Sequence, residues 1–164
     1  MAGGLETEWE EPSAASTSGE GVIFVLESAQ LEVAKVGKNY ELLNCDDHAN
    51  FLRRHGKDPA LYRPDICHQA LLAILDSPLN KAGRLKALYV HTGKNVLIQV
   101  NPQDWVMRPE LSGKPLVFVV GAFAHGKIDD SYVDEYISIS QFPLSAAYAL
   151  GRITNALERK WGIV

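Results

Sequence analysis

The chain has 164 residues, 46% hydrophobic and 22% charged, which leaves room for one compact domain and excludes a wholly disordered polypeptide. Its formal net charge of −4 is unevenly divided, because Glu6, Glu8, Glu10, Glu11 and Glu20 stand in residues 1–20 with no Lys or Arg among them. From Arg53 to Lys94 eight basic residues face three acidic ones, Asp58, Asp65 and Asp76, a stretch able to contact phosphates or simply to face water.

Residues 1–20 are rich in Glu, Ser, Ala and Gly. They bury too little apolar surface to offset the entropy of ordering, so a disordered acidic tail is expected, followed by a single α/β domain over 21–164. The continuous run Gly21-Val-Ile-Phe-Val-Leu26 reads as a strand buried on both faces, as in a parallel sheet. Residues 46–55 read as a helix with Asp46 at its N-cap, stopped by Gly56. A stronger helix opens at Arg63-Pro64-Asp65, where proline suits the first turn and the carboxylate complements the helix dipole. Its apolar stripe is Ile66, Ala70, Leu71, Ile74 and Leu75, its packed histidine is His68, and Ser77-Pro78 ends it.

Leu85–His91 and Val96–Val100, joined by Thr92-Gly93-Lys94-Asn95, read as a β-hairpin. Residues 101–114, with Pro102, Pro109 and Gly113, read as a loop, and Pro115–Val120 as a second buried strand. Asp129–Ile137 reads as a weak helix. Pro143–Trp161 reads as a strong one, with Leu144, Ala147, Leu150, Ile153, Ala156, Leu157 and Trp161 on one face.

The apolar run 116–124 is too short to cross a bilayer. Met1–Gly21 lacks the basic and apolar regions of a signal peptide, so an intracellular protein without a membrane span is expected. Cys45 and Cys67 are too few for a disulfide framework and too far apart for a CxxC pair. The five histidines show no ligand spacing, and no metal is assigned.

Four places carry candidate chemistry. Gly121 and Gly126 flank Ala-Phe-Ala-His at the carboxyl end of a predicted strand, where α/β sheets collect ligands; a tight turn explains them equally well. Residues 137–146 offer Ser140 and Gln141 beside Phe142 and Leu144, a mixture that suits a nucleoside-like ligand or an ordinary helix start. Arg63 and Asp65 make either an anion site with an adjacent base or a plain salt bridge. Ser77, Asn80 and Lys81 sit on a predicted exposed loop, fit for phosphate or base contacts or for solvent.

Six segments in order then stand out together. They are Tyr40-Glu-Leu-Leu-Asn-Cys-Asp46, Arg63-Pro-Asp-Ile-Cys-His-Gln69, Asp76-Ser-Pro-Leu-Asn-Lys-Ala-Gly83, Lys94-Asn-Val-Leu-Ile-Gln-Val-Asn-Pro-Gln103, Val117-Phe-Val-Val-Gly-Ala-Phe-Ala-His-Gly126 and Ser138-Ile-Ser-Gln-Phe-Pro-Leu-Ser-Ala146. This set closely resembles the ribosome-biogenesis pseudouridine N1-methyltransferases of the SPOUT class, which act on small-subunit ribosomal RNA.

The resemblance implies an α/β sheet with a C-terminal trefoil-knot region, a homodimer, and S-adenosyl-L-methionine bent within the knot. It implies cofactor contacts from Gly121, Gly126, Ile139, Ser140, Gln141, Phe142, Pro143 and Leu144. Asp65 is implied as the catalytic carboxylate, and Arg63, Ser77, Asn80 and Lys81 as RNA contacts. Small-subunit rRNA and pre-ribosomal assembly factors are the implied partners, in the nucleus and nucleolus.

The resemblance also exposes a departure. After Asn101-Pro-Gln103 the family continues with an arginine-rich stretch, a long apolar helix and strands that enter the knot. Here Asp104–Lys114, an atypical junction of eleven residues, leads directly to the next strand. An internally shortened form with an incomplete knot is therefore expected, with a crossover close to the shortest a parallel return permits and apolar sheet surface left uncovered. Beside the enzyme stands a second reading, a non-catalytic rRNA-binding assembly factor.

Overall fold

The computed structural model describes residues 20–100 and 114–163. The expected acidic tail, apart from Glu20, and the junction loop, apart from Lys114, lie outside the described residues. Among the described residues, six strands and four α-helices follow in the order β1 (Val22–Ala29), β2 (Val33–Val36), β3 (Asn39–Leu42), α1 (Ala49–Arg54), α2 (Pro64–Leu75), α3 (Pro78–Lys81), β4 (Leu85–Thr92), β5 (Leu97–Gln99), β6 (Leu116–Gly121) and α4 (Ala146–Trp161).

The principal sheet runs β5-β4-β1-β6. The central β1 pairs in parallel with both β4 and β6, in register from Val22↔Leu116 to Glu27↔Gly121 on the β6 side. β5 returns antiparallel to β4, as the hairpin signal predicts. Because β5 runs against β4, the chain heads back toward the end of the sheet at which β6 begins. The return to β6 therefore needs no climb along the sheet, and the short junction is compatible with the parallel β1–β6 pair.

One face of the sheet carries the core. Val22, Phe24 and Leu26 of β1, with Leu85, Leu88 and Val90 of β4, meet Cys67, Ala70 and Ile74 of α2, Leu79 of α3, and Leu150 and Leu157 of α4. Phe24 and Phe118 stack at 5.7 Å between ring centroids. The second face is only half-covered: along β1 burial alternates, with Ile23 and Val25 partly exposed. β1 is thus fully buried on one face, not both. Toward the edges Leu97 and Val117 stand open to solvent, the uncovered apolar surface that a shortened chain is expected to leave.

Several local expectations are corrected. The first helix begins at Ala49, not at residue 46, and Asp46 does not cap it; Asn44 Oδ1 accepts from the N–H groups of Asp46 and Asp47 at 3.0 and 2.7 Å and holds a turn there. The buried stripe of α2 centres on Cys67, Ala70 and Ile74, which leaves His68 exposed rather than packed. Asp129–Ile137 forms no helix. Four carboxylates crowd it, Tyr132, Tyr136 and Ile137 find no surface to cover, and Asp129 Oδ1 accepts from Ser131 N–H at 3.0 Å in a turn.

The last helix starts three residues beyond Pro143, because Ser145 is its N-cap and accepts from Tyr148 N–H at 3.2 Å. Its buried face includes Thr154 and Glu158 in place of Ala156. The antiparallel β2–β3 hairpin carries no signal that the sequence reading detects. Its residues are largely exposed, and Gly37 turns it with φ of +65°.

Candidate active site

Parallel strands sum their geometry at one edge, and here the carboxyl ends of β1, β4 and β6 meet. The approach to α2 lies at that edge: Glu32, three residues past β1, accepts from Tyr62 Oη at 2.9 Å and pairs with Lys57 and with Lys94 of the β4–β5 turn. Arg63, the next residue, is the N-cap of α2. At the opposite end of α4, Glu158 Oε1 accepts from Leu79 N–H at 3.1 Å and Lys160 pairs with Glu20. The α4 start, with residues 139–144 before it, therefore faces the carboxyl edge. Two helix N-termini and the glycine loop converge there.

Arg63 and Asp65 form a forked ion pair, Nε to Oδ1 at 2.8 Å and Nη2 to Oδ2 at 2.6 Å. The guanidinium holds the Asp65 carboxyl below its usual range, and Asp65 in turn raises Arg63. Both side chains remain accessible to solvent, so the pair can meet a ligand.

The loop after β6 needs its glycines. A Cβ at Gly121 falls 2.7 Å from the Phe123 ring; Gly126 holds φ of +138°, and a Cβ there falls 3.3 Å from the same ring. Phe123 thus folds back across the loop and occupies the space that side chains at either glycine need. Beside it, Ser28, Gln30, Phe123, His125, Gly126 and Lys127 line a cleft of about 140 Å³. In the segment before α4, Ser140 Oγ accepts from Phe142 N–H at 3.0 Å, and Ser138 Oγ donates to Ser140 O at 3.0 Å. Gln141, Phe142 and Pro143 are exposed, Phe142 to 77%, while Ile139, Ser140 and Leu144 are half-buried.

Ser77, Asn80 and Lys81 lie apart from these groups, at the far end of α2, roughly 18 Å along a twelve-residue helix. The expected exposed loop is a helical turn, α3. Ser77 is buried, accepts from Asn80 N–H at 3.2 Å and donates to Ile74 O at 2.6 Å. Asn80 Nδ2 donates to Leu75 O at 2.7 Å, and Lys81 pairs with Asp76 at 2.6 Å.

Two groups at the edge escape the sequence reading. Glu27 follows the apolar run of β1, and His91 is the penultimate residue of β4; they meet at 2.6 Å. A charged residue closing an otherwise apolar strand is the signal that could have found them. Among the described residues no group of three metal-ligating side chains occurs, and no helix is long and apolar enough to cross a membrane.

A parallel sheet with a glycine loop and two helix starts at its carboxyl edge places this chain in the class of α/β proteins, in which ligands collect at that edge. The EMG1/NEP1 methyltransferase family matches residues 24–109 and 106–158, and the chain belongs to that family. It is 40% identical over 206 positions to the ribosomal RNA small subunit methyltransferase NEP1 of Homo sapiens, covering 89% of this chain and 84% of the relative. It is 36% identical over 211 positions to the Drosophila melanogaster protein of the same name, covering 87% and 83%.

The crystal structure of Archaeoglobus fulgidus Nep1 bound to S-adenosylhomocysteine shares the fold, with a TM-score of 0.57 and 19% identity over 87% of this chain and 99% of that one. Since 89% of the 164 residues is about 146, the 206 aligned positions leave about 60 in the human relative without a counterpart here. The two matched segments meet at 106–109, inside the junction where the sequence departs from the family pattern.

Proposed function

We propose that this chain is an S-adenosyl-L-methionine-dependent methyltransferase of small-subunit ribosomal RNA, with N1 of pseudouridine as acceptor and small-subunit biogenesis as its setting. The observation that carries this is the convergence of the Gly121–Gly126 loop, residues 139–144 and the Arg63–Asp65 pair at one sheet edge in a chain of this family. The name of the human relative supports the substrate, and the ligand of the archaeal structure supports the cofactor. Residues 21–164 act as one domain, a homodimer among pre-ribosomal factors in the nucleus and nucleolus.

The residues fit the cofactor. Gly121 and Gly126 let Phe123 fold back across the loop, so that its aromatic ring, and not bare backbone, is the surface the loop offers an adenosyl group. Gly121 and Gly126 hold one side, and Ile139, Ser140, Gln141, Phe142, Pro143 and Leu144 supply mixed polar and apolar wall on the other. Bound there, the cofactor supplies an electrophilic methyl group on a sulfonium.

The chain's own work is to bind and orient the acceptor. Pseudouridine N1 carries a weakly acidic proton, and its lone pair must point along the line of attack. Asp65 has both oxygens engaged by Arg63 and a lowered pKa, which makes it a poor proton acceptor and a good fixed hydrogen-bond acceptor. It orients the base edge, and the proton leaves to water at the open edge. Arg63 adds an RNA contact beside it, since a base presented this way is flipped from its stack and its phosphate comes near. At the other end of α2, Ser77 and Asn80 hold the turn from which Lys81 makes a second, phosphate-level contact.

A second reading is favoured by one observation: about 60 positions of the human relative have no counterpart in this chain. On that reading the chain is a non-catalytic rRNA-binding assembly factor. Calorimetry with S-adenosylmethionine on the full chain, followed by methyl transfer to a pseudouridine-containing hairpin, separates the two. Micromolar binding with transfer supports the enzyme; folded protein that binds the hairpin but not the cofactor supports the assembly factor.

A further inference from the structure

We propose that Glu27 is a positioning residue for the Gly121–Tyr132 segment, and that His91 holds Glu27 in place while its imidazole is protonated. The proposal rests on the assignment of that segment to the cofactor site.

Glu27 lies near the carboxyl end of the central strand, directly beside Gly121 in the last pair of the β1–β6 register. Its backbone carbonyl accepts from Ala122 N–H at 2.8 Å, which ties the first residue of the loop to β1. Its side chain is 15% exposed and points into a set of donors. His91 Nδ1 lies 2.6 Å from Oε1, Ser28 Oγ donates to Oε1 at 3.5 Å, and Tyr132 Oη donates to Oε2 at 3.5 Å. One carboxylate thus joins β1, β4 and the segment after β6, next to the cleft lined by Ser28, His125, Gly126 and Lys127.

Both ring nitrogens of His91 are engaged. Nδ1 faces Glu27 Oε1, and Nε2 lies 2.9 Å from Asn95 Oδ1. With the Asn95 oxygen, and not its Nδ2, toward Nε2, two oxygens face the two nitrogens, an arrangement that the imidazolium satisfies and a neutral imidazole, which donates from one nitrogen, does not. Asn95 is pinned for this role in the β4–β5 turn with φ of +59°. The hydrogen bond to Asn95, and then that to Glu27, raise the His91 pKa above its ordinary value.

Other charged groups stand at this edge. Lys94 pairs with Glu32, Lys127 and His125 line the cleft, and Asp129 acts on Tyr132. The folded-state pKa is raised, so the clamp is complete below it and is lost as pH rises through it. Above it a half-buried Glu27 carboxylate keeps two long hydroxyl contacts and turns toward water, which frees Tyr132 and loosens the loop.

Two titrations on the full chain test this. In the imidazole NMR spectrum His91 is expected to titrate above the ordinary value of about 6.5, and Glu27→Gln to lower its midpoint. S-adenosylhomocysteine affinity is expected to fall about tenfold between about pH 5.5 and 8.5 in the parent protein and to stay flat in Glu27→Gln and His91→Gln, with circular dichroism confirming that both variants fold. An ordinary His91 midpoint, or one unmoved by Glu27→Gln, overturns the pair. A raised midpoint with pH-independent affinity overturns its positioning role. Should no S-adenosylhomocysteine bind at any pH, the cofactor assignment fails, and amide exchange of residues 121–132 decides the clamp alone: protection lost above the His91 midpoint supports it, and unchanged protection overturns it.

Discussion

Arg63 grips both oxygens of Asp65, at 2.8 and 2.6 Å, across two residues at the start of α2. The fork fixes the carboxylate's plane and keeps it ionised, while the side of Asp65 away from Arg63 stays open to a ligand. A negative group so held serves as a rigid acceptor and not as a base.

Asp65→Asn keeps the size of the side chain and removes its charge. Methyl transfer to the RNA hairpin is expected to drop about a hundredfold, with cofactor affinity unchanged, because the loss falls on acceptor orientation. The pH–rate profile of the parent is expected to show no Asp65 ionisation near neutrality. The lowered pKa places that step below the ordinary carboxylate range, so an acidic limb with a midpoint near 6 contradicts the orienting role.

Gly126 holds a backbone angle that side chains rarely adopt, with the Phe123 ring 3.3 Å from where a Cβ stands. Gly126→Ala is expected to introduce about 1–3 kcal/mol of local strain. Affinity for S-adenosylhomocysteine should fall by tenfold or more while the thermal transition moves by only a few degrees. Calorimetry and a melting curve on one sample measure both, and an unchanged affinity removes the loop from the site.

Most of the frame was legible because its signals are strong and local. Val22–Leu26 and Leu116–Val120 are apolar runs, α2 and α4 carry 3.6-residue stripes, and Thr92-Gly93-Lys94-Asn95 announces a hairpin. What escaped depends on contacts distant in the chain. The β2–β3 hairpin hides because its strands are short and mostly exposed, with little apolar alternation to report them. Asp129–Ile137 has residues at helical spacing, yet no surface receives them. The site was half-legible: glycines and an Arg–Asp pair mark themselves, whereas Glu27 and His91 are 64 residues apart and meet only through strand order. The same topology sends Ser77 and Lys81 to the opposite edge, which spacing along the sequence does not reveal.

Glu158 is a buried carboxylate on α4 whose Oε1 accepts from Leu79 N–H at 3.1 Å, joining α4 to the first turn of α3. Glu158→Ala strands that N–H in a dry setting and is expected to cost about 1–3 kcal/mol in urea unfolding. Glu158→Gln retains an acceptor oxygen and should recover most of it. Equal losses in the two variants mean that charge, and not the acceptor, matters.

Glu32 gives the acid side of the stability profile. Lys57 donates to it and lowers its pKa most, with Tyr62 acting in the same direction against the raising effect of burial. A depressed folded-state pKa contributes stability that is present above the unfolded value, about 4.3 for glutamate, and is lost as pH falls through the folded one. Glu32→Gln is therefore expected to destabilise the protein by about 1 kcal/mol at pH 7, with the gap from the parent closing as both are acidified below about pH 4. Paired urea unfolding curves at pH 7 and pH 3.5 measure the gap directly. A difference that persists undiminished at the lower pH assigns the effect to the shape of the side chain and removes the ion pair from the account of how the β2–β3 hairpin, Tyr62 and the β4–β5 turn are held together.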